Sequence, residues 1–585
     1  MPYALEKAKQ EIADLLAKAT GTEVLDSKSA PPNVDADLAV PIFPIAKQRG
    51  VNPAALAQEL ADGLDLEGTL LAAVTATGGF VNFKLADDAF TRGVFADFAQ
   101  RGADYGGSAE GAGRTVVVDF SSPNIAKPFS VGHLRSTVIG QALVNLHEFL
   151  GFKVVGDNHI GDWGTQFGKL LYAFEVWGDR EKVAQEPIRE LLALYVRFHE
   201  EAQDNPAMED EARAWFRRLE EGDEKARELW EWFREVSWTE FQRVYDLLGV
   251  RFDEVLGESF YNDQLDDVVD EAFDKGLAEW SELAPRTAVG DGPEESASAE
   301  PERVAIIPLA EHGIETPLLV RKSDGTSLYA TRDLATIKYR VEHWAPEAIL
   351  YVVGGEQRLY FQQLFQAAEL LGYGAQCEHV PFGLIRLPKG RMSTRKGRVI
   401  FLEDVLDEAI SRAEAVLEDR ELSDDEKATI ARMVGIGAVK WADLSQTRTK
   451  DVLFDWDKML NLQGDSAPYL QYAYVRTLSM LRKAPEGLGE ADPDLLGEPS
   501  EVELVKALAR FPEAVAAAVQ GRFPHLVATY LIALARDFSS FYNQVPVLQA
   551  ETPELVAARL ELCRMTAQVI RRGLGLLGIE CPEHM

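Results

Sequence analysis

Between Val116 and Gln166 the spacing of apolar residues changes period twice. Val116-Val117-Val118 is a short β-branched run with no polar position, which predicts a strand buried on both faces of a parallel sheet. A polar turn follows at Ser121-Ser122-Pro123-Asn124. From His133 onward Leu134, Val138, Ala142, Leu146, Phe149 and Leu150 recur at three and four residues. That spacing predicts a helix with one apolar face, stopped by Gly151 in the manner of C-terminal glycines. Phe152-Lys153-Val154-Val155 begins a second strand, so the stretch reads as a βαβ unit.

The same reading divides the rest of the chain. Leu5, Ile12, Leu15 and Leu16 form a helical stripe, and Gly78 to Phe83 alternates like a strand. Gly106-Gly107-Ser108 through Gly113 is a linker, which closes a first unit at residues 1–108. Residues 172–283 carry Trp, Glu and Arg at helical spacing and predict a helical insertion, its tryptophans serving as packing anchors. Residues 285–302 are acidic with Pro, Gly, Ser and Ala, a composition that predicts a disordered surface loop. The sheet is expected to resume at Leu318-Leu319-Val320, ahead of a turn at Ser323-Asp324-Gly325. It continues through Ala348–Val353 into Gly354-Gly355, then a helix at 362–371 and a strand over Val380–Ile385. From about residue 403 the pattern is helical to the end, with a Gly/Pro/acidic break at 484–500.

Composition narrows the class. The chain has 585 residues, 46% hydrophobic and 26% charged, as in soluble globular proteins. No apolar run is long enough to span a bilayer, and the opening residues form an amphipathic helix rather than a signal peptide, which points to the cytoplasm and to no membrane partner. Cys377, Cys563 and Cys581 are too few and too scattered for a disulfide framework or a cysteine zinc site. The net charge of −35 repels phosphate on average and argues against nucleic acid, although a local basic surface can still bind it. There is no internal repeat and no G-x-x-x-x-G-K-[ST] loop.

Two places could hold a polyphosphate. Lys127, Ser130, Gly132 and His133 sit where the first strand gives way to its helix, where free amides and the helix dipole attract anions. An ordinary βα turn fits those residues equally well. The loop Pro388 to Arg398 has five basic residues among eleven in an acidic chain, which fits a polyanion clamp or a solvated basic turn. Gly354-Gly355, ending a buried strand, lies where a ligand meets backbone at the carboxyl edge of a parallel sheet.

Two phosphate-clamping elements about 260 residues apart, bracketing a parallel sheet, resemble the layout of class I aminoacyl-tRNA synthetases. Six ordered blocks resemble the arginyl-tRNA synthetase family along nearly the whole chain. They are Ser121–Thr137, similar to that family's His-Ile-Gly-His signature; Asn158–Gly168; Tyr329–Asp333; Met392–Gly397, similar to its Lys-Met-Ser-Lys-Ser loop; Gly464–Tyr472; and Gly578–Glu583. Two positions depart from the general signatures. Ser130 replaces the first histidine, and Thr394 replaces the second lysine, a loss that the resemblance assigns Lys127 to compensate.

The resemblance implies an α/β fold: a Rossmann-like parallel-sheet catalytic domain (109–402), an α+β N-terminal tRNA-binding domain (1–108), a helical insertion and an all-α anticodon-binding domain (464–585) after a connecting region (403–463). It implies ligation of arginine to tRNA(Arg) with ATP and Mg²⁺ as substrate, no zinc and no tightly bound cofactor, by a monomer that activates arginine only with tRNA bound. By resemblance Lys127, His133, Arg391, Arg395 and Lys396 are catalytic. Asp119, Asn124, His133, Tyr329, Asp333 and Gln357 would take arginine. Ser130, Gly132, His133, Gly354, Gly355, Met392 and Ser393 would take ATP, and Phe80, Asn82, Tyr469 and Met585 would contact tRNA. Alternatives are a class I synthetase for another amino acid, or an inactive RNA-binding paralogue. A cysteinyl enzyme would need zinc ligands that these cysteines do not supply.

Overall fold

A computed structural model describes the chain except residues 1, 24–26, 32, 284–301, 324–327, 387–399 and 419. The expected loop at 285–302 therefore lies outside the described residues except for Glu302, which opens a strand; most of the turn after Ser323 lies outside them too.

The central sheet has four parallel strands in the order Gln376–His379, Ala348–Tyr351, Thr115–Asp119, Lys153–Asp157. Val116, Val117, Val118, Ile349 and Leu350 are all buried, as uninterrupted apolar strands require when helices cover both faces. The chain leaves the Thr115 strand toward one side of the sheet and the Ala348 strand toward the other. The carboxyl ends of those two neighbours are thus the switch point, where open α/β sheets bind ligands.

The helix after the first strand runs from Val131 to Phe149, two residues earlier than the periodicity placed it, and it is buried almost all round rather than on one face. Its polar residues are spent on neighbours. Arg135 makes paired bonds to Asp443 at 3.0 Å and donates to the Lys450 carbonyl at 2.8 Å, while Ser136 Oγ donates to the Val352 carbonyl at 2.6 Å. Gly151, with φ of 84°, ends it as expected.

Three expectations change. Leu318–Lys322 does not rejoin the parallel sheet; it is the edge of a separate antiparallel sheet with Glu279–Leu283 and Glu302–Ile307. A short apolar run does not distinguish these settings, and Leu319 is only half-buried. The helical stretch expected to reach residue 283 comprises helices from Thr165 to Leu248 and Leu265 to Asp274, with Glu279–Leu283 extended. Trp215 and Trp230 are buried in it as packing anchors. Finally, the last strand of the central sheet is Gln376–His379, not Val380–Ile385, because Pro381 has no amide to give to a ladder; Ile385–Arg386 pairs instead in parallel with Val452–Leu453.

The N-terminal sheet has strands Lys28–Ser29, Leu38–Pro41, Phe80–Leu85 and Leu71–Thr77 in that antiparallel order, backed by helices. From Leu402 to Leu576 the chain is helical apart from short connections. Lys506 of that part is buried and pairs with Asp37 and Asp87 of the N-terminal unit, each at 3.0 Å, which fixes the two ends of the chain together.

Candidate active site

The turn leaving Thr115–Asp119 is strained. Ser121, Ser122 and Ala126 have φ of 73°, 47° and 60°, three of the five non-glycine residues with positive φ among the described residues. Such conformations persist only where the surroundings impose them, and they gather at functional sites. The Ser121 amide donates to Ser136 Oγ at 2.8 Å, and its hydroxyl bonds Thr137 Oγ1 and the Tyr245 hydroxyl, each at 2.8 Å. The Ser122 amide donates to Asn158 Oδ1 at 3.1 Å, and Asn158 Nδ2 donates to the same Tyr245 hydroxyl at 3.0 Å. Asn124 lies against Gly161, where a Cβ would sit 2.3 Å from Asn124 Oδ1. The block Asn158–Gly168 is thus the wall against which the signature turn is built.

Ser130 is the N-cap of the signature helix, and its amide donates to His133 Nδ1 at 3.1 Å, half of a capping box. An amide can only donate, so Nδ1 of His133 accepts and the ring proton of the neutral imidazole is on Nε2. Burial, with Lys127 nearby, lowers the His133 pKa to about 4. His133 therefore offers a hydrogen bond at neutral pH and no charge; the cation of this turn is Lys127. Gly132 is exposed beside it, and a Cβ there would come 3.3 Å from Ser130 Oγ.

Burial pushes the Lys127 ammonium down, and Glu258 opposes that shift. Glu258 is itself pushed up to about 7, first by burial; His159 and Arg332 oppose, and Asp333 adds to the rise. Asp333, on the helix Tyr329–Trp344, accepts a short hydrogen bond from the Tyr360 hydroxyl, and burial raises its pKa too. Lys127, His133, Glu258 and Asp333 accordingly lie in one charge network. Tyr329 opens the same helix and is 53% exposed, and Gln357 is exposed at the end of the short turn Gly355–Gln357. Gly354 and Gly355 are bound to the chain at Phe382, with the Gly355 amide donating to the Phe382 carbonyl at 2.9 Å.

Asp119, at the end of its strand, accepts from Ser122 Oγ at 3.1 Å and from Arg340 Nη2 at 2.7 Å. Arg340 also holds Asp157, and all three are buried.

Arg391, Met392, Ser393, Arg395 and Lys396 lie outside the described residues. The chain on either side of them does not. Ile385–Arg386 pairs with Val452–Leu453, and on the far side the Ile400 carbonyl accepts from the Val131 amide at 3.2 Å while the Leu402 amide donates to the Phe129 carbonyl at 2.9 Å. The chain that follows the basic stretch, at Ile400 and Leu402, is thus held against the signature turn.

Of the residues expected to meet RNA, Phe80 is 41% exposed and packs edge-on to Phe43 at 5.3 Å. Asn82 is buried, and among the described residues its Nδ2 has no hydrogen-bond partner. Tyr469 lines a cavity of about 250 Å³ with Tyr472, Arg476 and Phe538. Met585 is half-buried against Ile430 and Val434.

Glu258, Tyr245 and Arg340 belong to the site and are not visible in the sequence. A single glutamate in a chain with 95 acidic residues carries no signal. Tyr245 and Arg340 fall at ordinary helical positions, where nothing marks a tyrosine or arginine that turns inward.

Comparison with known proteins accounts for this arrangement. Residues 99–456 match the model described as the catalytic domain of class I (R) tRNA synthetases, which makes the core a class I synthetase core. Residues 6–85 match the arginyl tRNA synthetase N-terminal domain, and 470–585 match the DALR anticodon binding domain. The arginine–tRNA ligase of Chloroflexus aggregans is 45% identical over 597 residues, covering 100% of both chains, and that of Clostridium perfringens is 42% identical over 553 residues, covering 94% of each. The solved arginyl-tRNA synthetase of Thermus thermophilus superposes with a TM-score of 0.80 at 27% identity, covering 99% of each chain. The chain belongs to the arginyl-tRNA synthetase family.

Proposed function

We propose that the protein is an arginine–tRNA ligase whose specificity rests on Asp333 and Glu258. The observation that carries this is their placement: two carboxyls, one with its pKa raised to about 7 by its surroundings, in the same charge network as Lys127. A guanidinium presents a planar fork of donors that two carboxylates satisfy, and its positive charge opposes the rise in Glu258's pKa. Tyr329 and Gln357, exposed near that pair, complete the pocket for the arginine side chain. Asp119 takes the α-ammonium, and Asn124 orients the carboxylate.

An oxygen of that carboxylate attacks the α-phosphorus of ATP, the bond to the bridging oxygen breaks, and pyrophosphate leaves. The terminal ribose hydroxyl of tRNA(Arg) then attacks the arginyl carbonyl and releases AMP. No side-chain nucleophile is needed, so catalysis is positioning and charge stabilisation. Lys127 supplies positive charge at the α-phosphate, and His133 Nε2–H a hydrogen bond, so Ser130 in place of a second histidine removes no cation. Ser130, Gly132, Gly354 and Gly355 shape the nucleotide site with Met392 and Ser393. Arg391, Arg395 and Lys396 meet the β- and γ-phosphates with the Mg²⁺ that ATP brings.

The tRNA lies across residues 1–108 at Phe80 and Asn82 and across 464–585 at Tyr469 and Met585, with 109–402 holding the reaction and 403–463 joining the two. The enzyme works as a cytoplasmic monomer. Among the described residues no helix is long and apolar enough to cross a membrane. The decisive experiment is pyrophosphate exchange with tRNA present, run with each amino acid in turn. Arginine alone should support it; exchange with a different amino acid, or with none, overturns the assignment. The same assay without tRNA should be silent.

A further inference from the structure

Arg340 is fully buried, and its Nη2 donates to Asp119 Oδ2 and to Asp157 Oδ2, each at 2.7 Å, while its Nε donates to Asp157 at 3.1 Å. The two aspartates are register partners at the carboxyl ends of adjacent parallel strands. Stability alone does not explain three ionisable groups there, because a buried ion cluster is often matched or bettered by apolar packing of the same volume. Position explains them better. Arg340 stands seven residues after Asp333 on one helix, hence on the same face two turns along.

We propose that Arg340 is a positioning residue that fixes the distance between the two ends of the amino-acid site. One helix carries Asp333 for the substrate's guanidinium and, through Arg340, holds the carboxylate of Asp119 for its α-ammonium. The cluster of two carboxylates and one guanidinium keeps a formal charge of −1, which an α-ammonium neutralises. Its second function is to hold Asp119 by Oδ2 alone, leaving for the α-ammonium Oδ1, whose one hydrogen-bond partner among the described residues is the Ser122 hydroxyl. The cluster is not saturated from within: among the described residues Arg340 Nη1 and Asp157 Oδ1 have no hydrogen-bond partner.

This inference rests on the assignment of Asp119 and Asp333 given above, and the test separates the two. The full-length enzyme with tRNA is assayed for exchange with arginine, and for competitive inhibition by desamino-arginine, which keeps the guanidinium and carboxylate but lacks the ammonium. In Arg340→Lys the KM for arginine should rise at least about tenfold, as when a charged partner is removed or misplaced, while inhibition by desamino-arginine stays within about twofold. Asp157→Asn, which neutralises the cluster without touching Arg340, should give the same split and stands in if the first variant does not fold. Asp333→Asn should weaken both ligands together. If both ligands shift together in Arg340→Lys and Asp157→Asn, or neither shifts, Arg340 does not position Asp119. If Asp333→Asn leaves both ligands unchanged, the underlying assignment fails and the inference fails with it.

Discussion

Glu258 and Asp333 share one site in which burial carries the Glu258 pKa to about 7 and the charge on Asp333 adds to the rise. At neutral pH the empty site is therefore a mixture of protonated and ionised Glu258, and a guanidinium selects the ionised form. Arginine binding should release a proton below pH 7. The KM for arginine is expected to rise about tenfold per pH unit below about 7 and to flatten above it, while the KM for ATP stays level. The fold responds with the opposite sign. A carboxyl whose folded pKa lies above its ordinary 4.5 destabilises as pH rises through the interval from 4.5 to 7. Without arginine, Glu258→Gln should thus melt above the wild type at pH 8 and converge with it near pH 4.5. A pH-independent KM in the wild type would remove Glu258 from the pocket.

Lys127 and Asp333 divide the work, and their variants should divide the kinetics. Lys127→Ala removes the cation of the signature turn, which acts in the transition state, so kcat for exchange should fall by roughly 10²–10³ with little change in the KM for arginine. Asp333→Ala removes a buried partner of a charged substrate. It should cost on the order of 2–5 kcal/mol in arginine binding while ATP binding survives. Equal losses in both parameters for both variants would contradict this division.

The parallel strands and the turn between them are legible because Val116–Val118 and Ala348–Val353 have no polar face, a pattern few other settings tolerate. The family blocks are legible for a related reason: a strained turn with fixed partners, Ser122 to Asn158, leaves few residue choices. The antiparallel sheet is not legible, because Leu318-Leu319-Val320 fits either ladder and the sheet's other edge strand, Glu279–Leu283, lies on the far side of a long polar stretch. Glu258 escapes for a different reason. Its chemistry comes from a neighbour 75 positions away and from the wall around it, neither of which leaves a local pattern.

Tyr245 offers a test of how the insertion supports the turn. Its buried hydroxyl bonds both Ser121 Oγ and Asn158 Nδ2, at 2.8 and 3.0 Å. Tyr245→Phe keeps the ring and leaves two buried polar groups short of a partner, a loss of about 1–3 kcal/mol in unfolding free energy by denaturant titration. Because Ser121 has a positive φ that only its partners maintain, the KM for ATP should rise as well. A destabilised variant with wild-type ATP kinetics would show that the turn holds its shape without the insertion.

Phe80 tests whether the N-terminal sheet reads RNA. Its ring stands 41% exposed on the strand Phe80–Leu85, supported edge-on by Phe43, and Gly79 permits the approach because a Cβ there would lie 2.4 Å from the Phe43 ring. Asn82, two residues on, shares the strand face and has a buried amide donor with no partner among the described residues. An exposed ring over an unspent donor suits one unstacked base, by stacking and by an edge hydrogen bond. Phe80→Ala should raise the KM for tRNA roughly 5- to 150-fold, the equivalent of about 1–3 kcal/mol per stacked base. Since the ring is 41% exposed and its packing partner Phe43 is itself exposed, the melting temperature should fall only slightly. At saturating tRNA the KM for arginine and for ATP should also be unchanged, because Phe80 is not part of the catalytic sheet. An unchanged KM for tRNA would mean that Phe80 packs against Phe43 and nothing else.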